Sequence, residues 1–457
     1  MQTLSVKLSK SPATATALAL LEALRQRLRE PAFLVRHRRD EKAFTRRRVL
    51  TFTVVVLMIL QQTVKSLQAH LHEFLGEWNQ DDSSDYAGAG AFTRARAKLR
   101  HSAYQELNTQ ILLPIVYHAD RDADLLDWRG HRMLGIDSSL IRLPMTEALG
   151  ERFGLVECAN QNGKSSVMYP EARISVLYDV RNHIGWDARL EPHTVAETEM
   201  ARGHLLHVRP GDVLLCDRGY AGYFWFALMR AQGAEFVVRC SRGSFAAVQA
   251  LFARDQGGVS QEITLAAPPE LKRELREAGL PVQLRVRLVT VRLSTGELEV
   301  LATSLLDEKR YPTEEFVRVY HWRWGIETYY GRLKGRLELE HWSGKTEEAI
   351  RQDFHAAVFV SNLETVVCRS AEQAVEKKTA HRKYPAQLNR AVSLHTIKCQ
   401  ILALLASRQP AEKLLKKLQK QFMANPVTVR PDRITLRRKT PPGQAYQYQR
   451  NVRKVVF

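Results

Sequence analysis

The chain has 457 residues, a length that accommodates two to four domains with a large buried core. Its 45% hydrophobic and 26% charged residues are the proportions of a globular protein, which excludes a low-complexity chain. The formal net charge of +19 indicates a polyanionic partner, with nucleic acid favoured over an anionic membrane surface. A third interpretation, charge for solubility alone, is less favoured because acidic residues serve solubility as well.

The positive charge is concentrated in two segments. Residues 377–457 contain nineteen Lys and Arg against two acids, and residues 36–48 read RHRRDEKAFTRRR. The five cysteines are scattered without a CxxC pair, which predicts a reducing compartment with neither disulfides nor a zinc site. The longest apolar run, residues 50–60, is too short to cross a bilayer. We therefore expect no membrane partner and a cytoplasmic, nucleoid-associated protein.

The first 110 residues have mainly helical periodicity. Helices are predicted over residues 15–29, 47–60 and 64–78, followed by an acidic, turn-rich piece over residues 79–91. Residues 92–108 carry four Lys or Arg within seven positions of a good helix-forming sequence. This basic helix either lies along a DNA groove or is an ordinary charged surface helix.

From residue 128 the pattern changes to short apolar runs that are typical of strands. Strands are predicted over residues 131–144, 213–216 and 235–240, with an antiparallel pair over residues 172–192. Helices are predicted over residues 197–208 and from the Gly-containing turn at 219–222 to about residue 230. This order predicts an α/β fold class, a mixed sheet flanked by helices.

The following segment interrupts that layout. Residues 241–310 form a mainly β insertion in our interpretation, with a hairpin around Ser294–Gly296. A long helix is predicted from Thr313, and later helices are predicted over about residues 394–404 and 411–422, the second of them very basic. The predicted segments are thus residues 1–110, 111–240, 241–310, 311–375 and 376–457.

The predicted long helix carries a stripe of polar side chains. Tyr320, Arg323, Glu327 and Lys334 are three, four and seven residues apart, so they share one helix face. A carboxylate flanked by two cations can hold a metal ion beside a phosphate, although a solvated face of mixed charge has the same spacing. Trp322 and Trp324 on this helix are interpreted as core packing.

Three acids in separate elements point to metal chemistry. Asp137 lies within one predicted strand, Asp217 follows another, and Glu327 lies on the long helix. Three converging carboxylates can hold two divalent ions with a phosphodiester between them, where one ion activates a hydroxyl and the other stabilises the leaving oxygen. Oxygen ligands favour Mg²⁺ or Mn²⁺. Glu197 and Glu199 open a helix, where acids suit the helix dipole, and we leave them out of the predicted site.

With these residues in place, the chain resembles the bacterial DDE transposases of cut-and-paste insertion sequences that carry a Tyr-Arg-Glu-Lys signature. That signature is Y-x2-R-x3-E-x6-K, and Tyr320, Arg323, Glu327 and Lys334 match every position. The sequence DRGY from Asp217 resembles the family's D-x-G-Y motif. The sequence IDS around Asp137 resembles its hydrophobic-Asp-small motif.

The resemblance implies a fold, an activity and roles for these residues. The fold is a ribonuclease H-like core over residues 111–240 and 311–375, interrupted by the β-rich insertion. The resemblance also implies a helical DNA-binding domain over residues 1–110 and a C-terminal region, 376–457, for dimerisation or DNA contact. Asp137, Asp217 and Glu327 are the implied ligands of two Mg²⁺ or Mn²⁺ ions. Tyr320, Arg323 and Lys334 are the implied phosphate contacts.

The implied partners are double-stranded DNA, as transposon ends and target, and a second copy of the chain in a homodimer. One feature departs from the family. Some members stack a flipped base on a Trp of the insertion, whereas none of the seven tryptophans here lies between residues 226 and 321. A flipped base and a hairpin intermediate are therefore not predicted. Two alternatives stay open: a catalytically silent DNA-binding repressor of transposition, and a metal-dependent nuclease without strand transfer.

Overall fold

A computed structural model describes residues 11–46, 49–63, 65–79, 86–118, 125–159 and 166–430. Predictions for the tail after residue 430 and for residues 80–85 of the acidic turn lie outside these residues. Among the described residues, one compact unit comprises those up to Leu125, those in 141–172 and those from Arg332 onward. A second comprises residues 126–140 and 173–331.

The helices and strands have the following bounds in chain order. The α-helices are α1 Pro12–Arg29, α2 Pro31–His37, α3 Phe52–Gln61, α4 Leu67–Asn79, α5 Ala89–Arg96, α6 Ser102–Glu106, α7 Leu113–Val116, α8 Glu147–Phe153, α9 Glu197–His204, α10 Tyr223–Ala231, α11 Ala246–Arg254, α12 Lys272–Glu277, α13 Phe316–His321, α14 Trp324–Gly335, α15 Glu347–Thr379, α16 Arg390–Cys399, α17 Ile401–Leu405 and α18 Ala411–Ala424. The strands are β1 Met133–Arg142, β2 Leu155–Ala159, β3 Ser166–Asp179, β4 Ile184–Pro192, β5 Val213–Cys216, β6 Glu235–Cys240, β7 Ser260–Ala266, β8 Gln283–Arg292, β9 Leu298–Thr303, β10 Ala386–Gln387 and β11 Val427–Thr428.

The second unit is built on a mixed sheet. Its strand order is β3-β1-β5-β6-β9-β8-β7, and β4 pairs with the other edge of β3. The pairs β1–β5 and β5–β6 are parallel, whereas β6–β9, β9–β8 and β8–β7 are antiparallel. All four residues of β5 are buried, as expected of a central strand covered on both faces. The predicted fold class, a mixed sheet flanked by helices, is confirmed and is consistent with a ribonuclease H-like core.

The predicted hairpin around Ser294 is also confirmed, as β8 and β9. Strand β9 pairs with β6, with Ala302 opposite Val238, so the hairpin extends the central sheet. Strand β7 and helices α11 and α12 were not predicted. None of the seven positions of strand β7 is fully buried, which leaves little hydrophobic signal in its sequence.

The first unit is helical around α15. This helix of 33 residues begins after Thr346, whose side chain accepts a hydrogen bond from the Ala349 N–H. From Ala349 to Cys368 nearly every side chain is buried, because helices α1, α3, α6, α16 and α18 pack around it. None of the described helices combines the length and apolarity needed to span a bilayer.

The prediction of one long helix from Thr313 is wrong. A 3₁₀ turn and α13 are followed by a tight turn at Trp322 and Arg323, and α14 begins at Trp324. The Arg323 N–H bonds to the Tyr320 carbonyl and the Ile326 N–H to the Arg323 carbonyl, the spacing of 3₁₀ turns. Gly325 follows this break, and a Cβ added there would lie 3.4 Å from Cβ of Val180, the residue directly after β3. At Gly331 the corresponding position has no atom of another described element within 4 Å, and the structure does not explain that glycine.

Candidate active site

The strand register brings the first two acids together. Met133, Leu134 and Gly135 of β1 pair with Val213, Leu214 and Leu215 of β5. Continuing this parallel register by two residues places Asp137 beside Asp217. Asp137 lies in the middle of β1 and Asp217 directly follows β5, so this register presents their two carboxyl groups in one row. The carboxyl end of a central parallel strand, which Asp217 follows, is a common position for a site.

The same row continues onto the next strand. Cys216 of β5 pairs with Val238 of β6, so Arg239 follows in register with Asp217. Arg239 donates from Nη1 to Oε1 of Glu299 at 2.9 Å. Its buried Nε has no hydrogen-bond partner among the described residues. Our sequence analysis missed this cation because its role depends on the register of three strands.

The third acid joins the row through an arginine. Arg323, in the turn before α14, is 3% exposed. Its Nη2 donates to Oε1 of Glu327 at 2.7 Å, and its Nη1 lies 3.9 Å from Oδ2 of Asp137. Arg323 therefore bridges the first and third predicted acids.

Tyr320 lies close to this arginine and has an unsatisfied hydroxyl. The residue is 3% exposed, and its Oη has no hydrogen-bond partner among the described residues. Burial raises the pKa of Tyr320, although the charges of Arg323 and Arg239 oppose this, so the phenol is neutral at pH 7. Nε of Arg323 is likewise buried without a partner in the described part of the chain. The Tyr320 hydroxyl and Nε of Arg323 are therefore two buried donors without a hydrogen-bond acceptor among the described residues.

Lys334, the last residue of the predicted stripe, is described within the first unit. Burial lowers the pKa of Lys334, and the carboxylates of Glu340 and Glu171 oppose that shift. Glu340 also accepts the Arg142 N–H at 2.9 Å. Two acids of its own unit, Glu171 and Glu340, thus act on the charge of Lys334.

The backbone that carries Asp137 is fixed by buried hydroxyls. Its carbonyl oxygen accepts from Tyr330 Oη at 2.7 Å and from Ser175 Oγ at 3.2 Å. Ser175 also contacts Nε2 of His204 at 3.0 Å, and Nδ1 of His204 lies 2.8 Å from Oδ2 of Asp187. Although the order Ser-His-Asp is that of a hydrolytic triad, Ser175 and His204 are each 0% exposed, which excludes a substrate. Through these hydrogen bonds, Asp187 and His204 instead fix Ser175, which holds the backbone of Asp137 in position.

Glu197, which the sequence analysis leaves out of the site, acts electrostatically on Asp137. Burial, together with the charge of Glu197, raises the pKa of Asp137 to about 7. From the sequence the helix dipole already accounted for Glu197, so its influence on the pKa of Asp137 emerges only from the folded chain.

The interpretation of Trp324 as core packing was also wrong. Its side chain is 48% exposed, with the guanidinium carbon of Arg323 5.0 Å from its ring centre. Trp322 is partly buried and carries the guanidinium of Arg181 over its ring at 4.2 Å. The break between α13 and α14 turns the two rings into different environments.

The basic helix predicted over residues 92–108 is broken as well, since α5 ends at Arg96 and α6 begins at Ser102. Arg96 is buried and donates to Asp353 Oδ1 at 2.8 Å and to Ser343 Oγ at 2.6 Å. Arg94 and Lys98 are exposed. Arg96 therefore stabilises the first unit rather than offering a charge to solvent.

The donor chemistry of the acidic row fits a hard divalent cation, because its members are carboxylates. Among the described residues, however, no three His, Cys, Asp or Glu side chains are already gathered around one point where a metal ion could sit. The residues thus fit Mg²⁺ or Mn²⁺ by type, with Arg323 providing the positive charge between Asp137 and Glu327.

Comparison with known proteins identifies the class. The family described as "Transposase DDE domain" matches residues 128–363, more than half of the chain, so the chain belongs to the DDE transposase domain family. The prediction of a bacterial insertion-sequence DDE transposase is confirmed at this level.

Individual relatives agree with the family assignment. The transposase InsG for insertion sequence element IS4 of Escherichia coli (strain K12) is 22% identical over 240 residues, 52% of each chain. The putative transposase y4zB of Sinorhizobium fredii (strain NBRC 101917 / NGR234) is 26% identical over 213 residues, 46% of this chain and 56% of the relative. The chain thus spans about half the length of these relatives. A structural match to the piggyBac transposase in a synaptic complex with hairpin DNA has a TM-score of 0.40 and 12% identity, covering 94% of this chain and 88% of that one.

Proposed function

We propose that this chain is an active cut-and-paste DNA transposase. It hydrolyses phosphodiesters at transposon ends and transfers the 3′-hydroxyls to target DNA, using Asp137, Asp217 and Glu327 as metal-binding carboxylates. The observation that carries the proposal is the register of β1 and β5, which aligns Asp137 with Asp217, while Arg323 links Asp137 to Glu327. A general DNA-binding fold has no need of three acids held in this way.

The cofactor in this proposal is Mg²⁺ or Mn²⁺, as two ions. When bound, such ions activate water or a 3′-hydroxyl and stabilise the leaving oxygen. The protein fixes the Asp137 backbone through Tyr330 and Ser175. Preorganised ligands of this kind keep their geometry as substrate arrives.

The phosphate contacts in this proposal are Tyr320, Arg323 and Lys334, with Arg239 added. Support comes from the unsatisfied hydroxyl of Tyr320 and the unpartnered Nε atoms of Arg323 and Arg239 in the described residues. A phosphate oxygen is a strong acceptor for all three donors. An arriving phosphate would also give Arg323 a further anion, beyond Asp137 and Glu327, and loosen its hold on Glu327.

The proposed partners are double-stranded DNA and a second copy of the chain in a homodimer on DNA, acting in the bacterial cytoplasm at the nucleoid. We assign DNA binding to residues 1–110, the catalytic core to 111–240 and 311–375, a β-rich insertion to 241–310, and dimerisation or DNA contact to 376–457. The net charge of +19 supports the nucleic-acid partner.

The test uses a labelled duplex that carries the inverted repeats bounding the gene, together with a supercoiled target plasmid. With Mg²⁺, the proposal predicts cleavage at the repeat ends and covalent joining to the plasmid. Cleavage without joining would identify a nuclease. Binding without either reaction, in the presence of Mg²⁺ or Mn²⁺, would identify the silent repressor.

A further inference from the structure

Two basic segments that are far apart in the sequence meet on the surface of the first unit. Arg38 and Leu99 form an isolated antiparallel bridge, and the Arg39 N–H donates to the Lys98 carbonyl at 2.7 Å. Leu99 is 1% exposed, so the crossing is anchored in the core. The basic segment that begins at Arg36 therefore lies beside the basic turn that follows α5.

This bridge sets two cations against each other. Arg39 lies directly opposite Lys98, and both side chains are exposed. Side chains at such opposed positions begin about 5 Å apart, where like charges destabilise the pair. Arg100 adds a third exposed cation, whose Nη2 donates to the Arg39 carbonyl at 3.0 Å. The fold thus holds three positive charges together, and we call Arg39, Lys98 and Arg100 the basic crossing.

The chain itself does not balance this charge. The three cations of the basic crossing form no ion pair with any acid in the described ranges, whereas nearby Arg36 pairs with Glu106. Asp40, the next acid along the chain, uses its Oδ1 to accept the Lys42 N–H at 3.0 Å and so closes a turn. An anion from outside the chain would therefore relieve the repulsion.

We propose that the basic crossing binds the phosphate backbone of duplex DNA without reading its sequence. Duplex DNA carries one negative charge per about 1.7 Å of its axis, so it can face several cations at once. Phosphate contacts position a protein on DNA and carry no sequence information directly. The inference rests on the proposed function, because it assigns one DNA contact to the N-terminal part of the same transposase. An anionic lipid surface, the other polyanion that such charge attracts, is an outcome of the test.

The experiment measures binding of the full chain to two labelled duplexes of equal length, by fluorescence anisotropy at several salt concentrations. One duplex carries the inverted repeat that bounds the gene, and the other carries a scrambled sequence. Arg39→Ala combined with Lys98→Ala should reduce the slope of log affinity against log salt by about two counterions on both duplexes. The matched control combines Arg273→Ala with Arg276→Ala, two exposed cations on α12, a helix that carries two acids of its own. Its slope should stay close to that of the wild type.

Charge reversal separates DNA binding from a structural role. Lys98→Glu converts the opposed like charges into an opposite pair, so without DNA it should melt no lower than the wild type at low salt. The same variant should bind both duplexes more weakly. A lower melting temperature for Lys98→Glu would assign this lysine a structural role and overturn the inference.

Three results in the binding experiment would also overturn it. The first is an unchanged salt slope for the double Ala variant, and the second is a loss of affinity confined to the repeat duplex, which would indicate base readout. The third is a double Ala variant that keeps its DNA affinity but no longer binds vesicles of phosphatidylserine and phosphatidylcholine that the wild type binds, which would indicate a membrane contact.

The proposed function can fail separately. If the double Ala variant loses salt slope on both duplexes but the wild type neither cuts nor joins end DNA with Mg²⁺, the basic crossing is a DNA contact and the proposed activity is wrong. If the wild type cuts and joins end DNA while the double Ala variant keeps the full slope, only the role of the basic crossing fails.

Discussion

Arg323 donates a 2.7 Å hydrogen bond from Nη2 to Oε1 of Glu327. The two residues are four positions apart across a break between helices, and the guanidinium is almost completely buried. A buried arginine between acids is stabilised by its partners and is poised to accept a further anion. The tight turn at Trp322 and Arg323 directs it toward Asp137 as well as Glu327.

Replacement of this arginine tests its proposed phosphate contact. Arg323→Ala should weaken binding to end DNA and reduce the slope of log affinity against log salt by about one counterion. Lys334→Ala should do the same. The measurement is a salt titration of DNA binding by fluorescence anisotropy.

The matched control is Arg318→Ala on α13. Arg318 is 64% exposed, and its guanidinium lies 3.4 Å from the carboxylate of Glu315. Its salt slope should stay close to that of the wild type. If the salt slope for Arg323→Ala equals that for Arg318→Ala, Arg323 pairs with Asp137 and Glu327 but does not contact a DNA phosphate.

The buried pair of Arg96 and Asp353 predicts a large stability effect. Their side chains are 4% and 0% exposed, and Asp353 also accepts from the Ser343 N–H at 2.8 Å. Removing one partner leaves a buried charge unpaired, so Asp353→Ala should lower the free energy of unfolding by about 3–5 kcal/mol. Urea denaturation measures this, with exposed Lys98→Ala as a control within about 0.5 kcal/mol of the wild type. A loss below about 1 kcal/mol for Asp353→Ala would contradict a buried ionic role.

The pKa of Asp137 predicts how stability depends on pH without metal. Burial and Glu197 raise this pKa from 3.8 to about 7, so the folded protein binds the proton more tightly than the unfolded chain. In EDTA, the contribution of Asp137 to stability is fully present below about pH 4 and is lost as the pH rises to about 7. Asp137→Asn should remove this decline, as measured by denaturation at several pH values. Asp255→Asn, at a position 72% exposed, should retain it.

The basic charge of residues 431–457 should contribute to DNA affinity independently of the packing of α18. Helix α18 ends at Ala424 with Phe422 buried, so a deletion that starts at Gln421 would damage packing as well as charge. Removing residues 431–457 alone should lower non-specific DNA affinity and flatten its salt dependence, because that segment is strongly basic. Replacing its Lys and Arg by Gln should have the same effect as the deletion. Unchanged affinity at low salt would assign the tail another role.

Much of the architecture was predictable from local pattern. The strands that carry Asp137 and precede Asp217 are short apolar runs, and the β8–β9 hairpin has clear alternation around its turn. The break before α14 was not predictable, because Tyr320, Arg323 and Glu327 keep helical spacing through it. The influence of Glu197 on the pKa of Asp137 was unpredictable for a different reason: it depends on where α9 docks, which no local periodicity encodes.

The most direct test of the central claim is cleavage of end DNA by three variants of the carboxylates. Asp137→Asn, Asp217→Asn and Glu327→Gln should each abolish Mg²⁺-dependent cleavage and joining, while binding to the same labelled end DNA remains within a few-fold of the wild type. Arg318→Ala should cleave normally in parallel. Undiminished Mg²⁺-dependent cleavage by any one of the three variants would contradict the account.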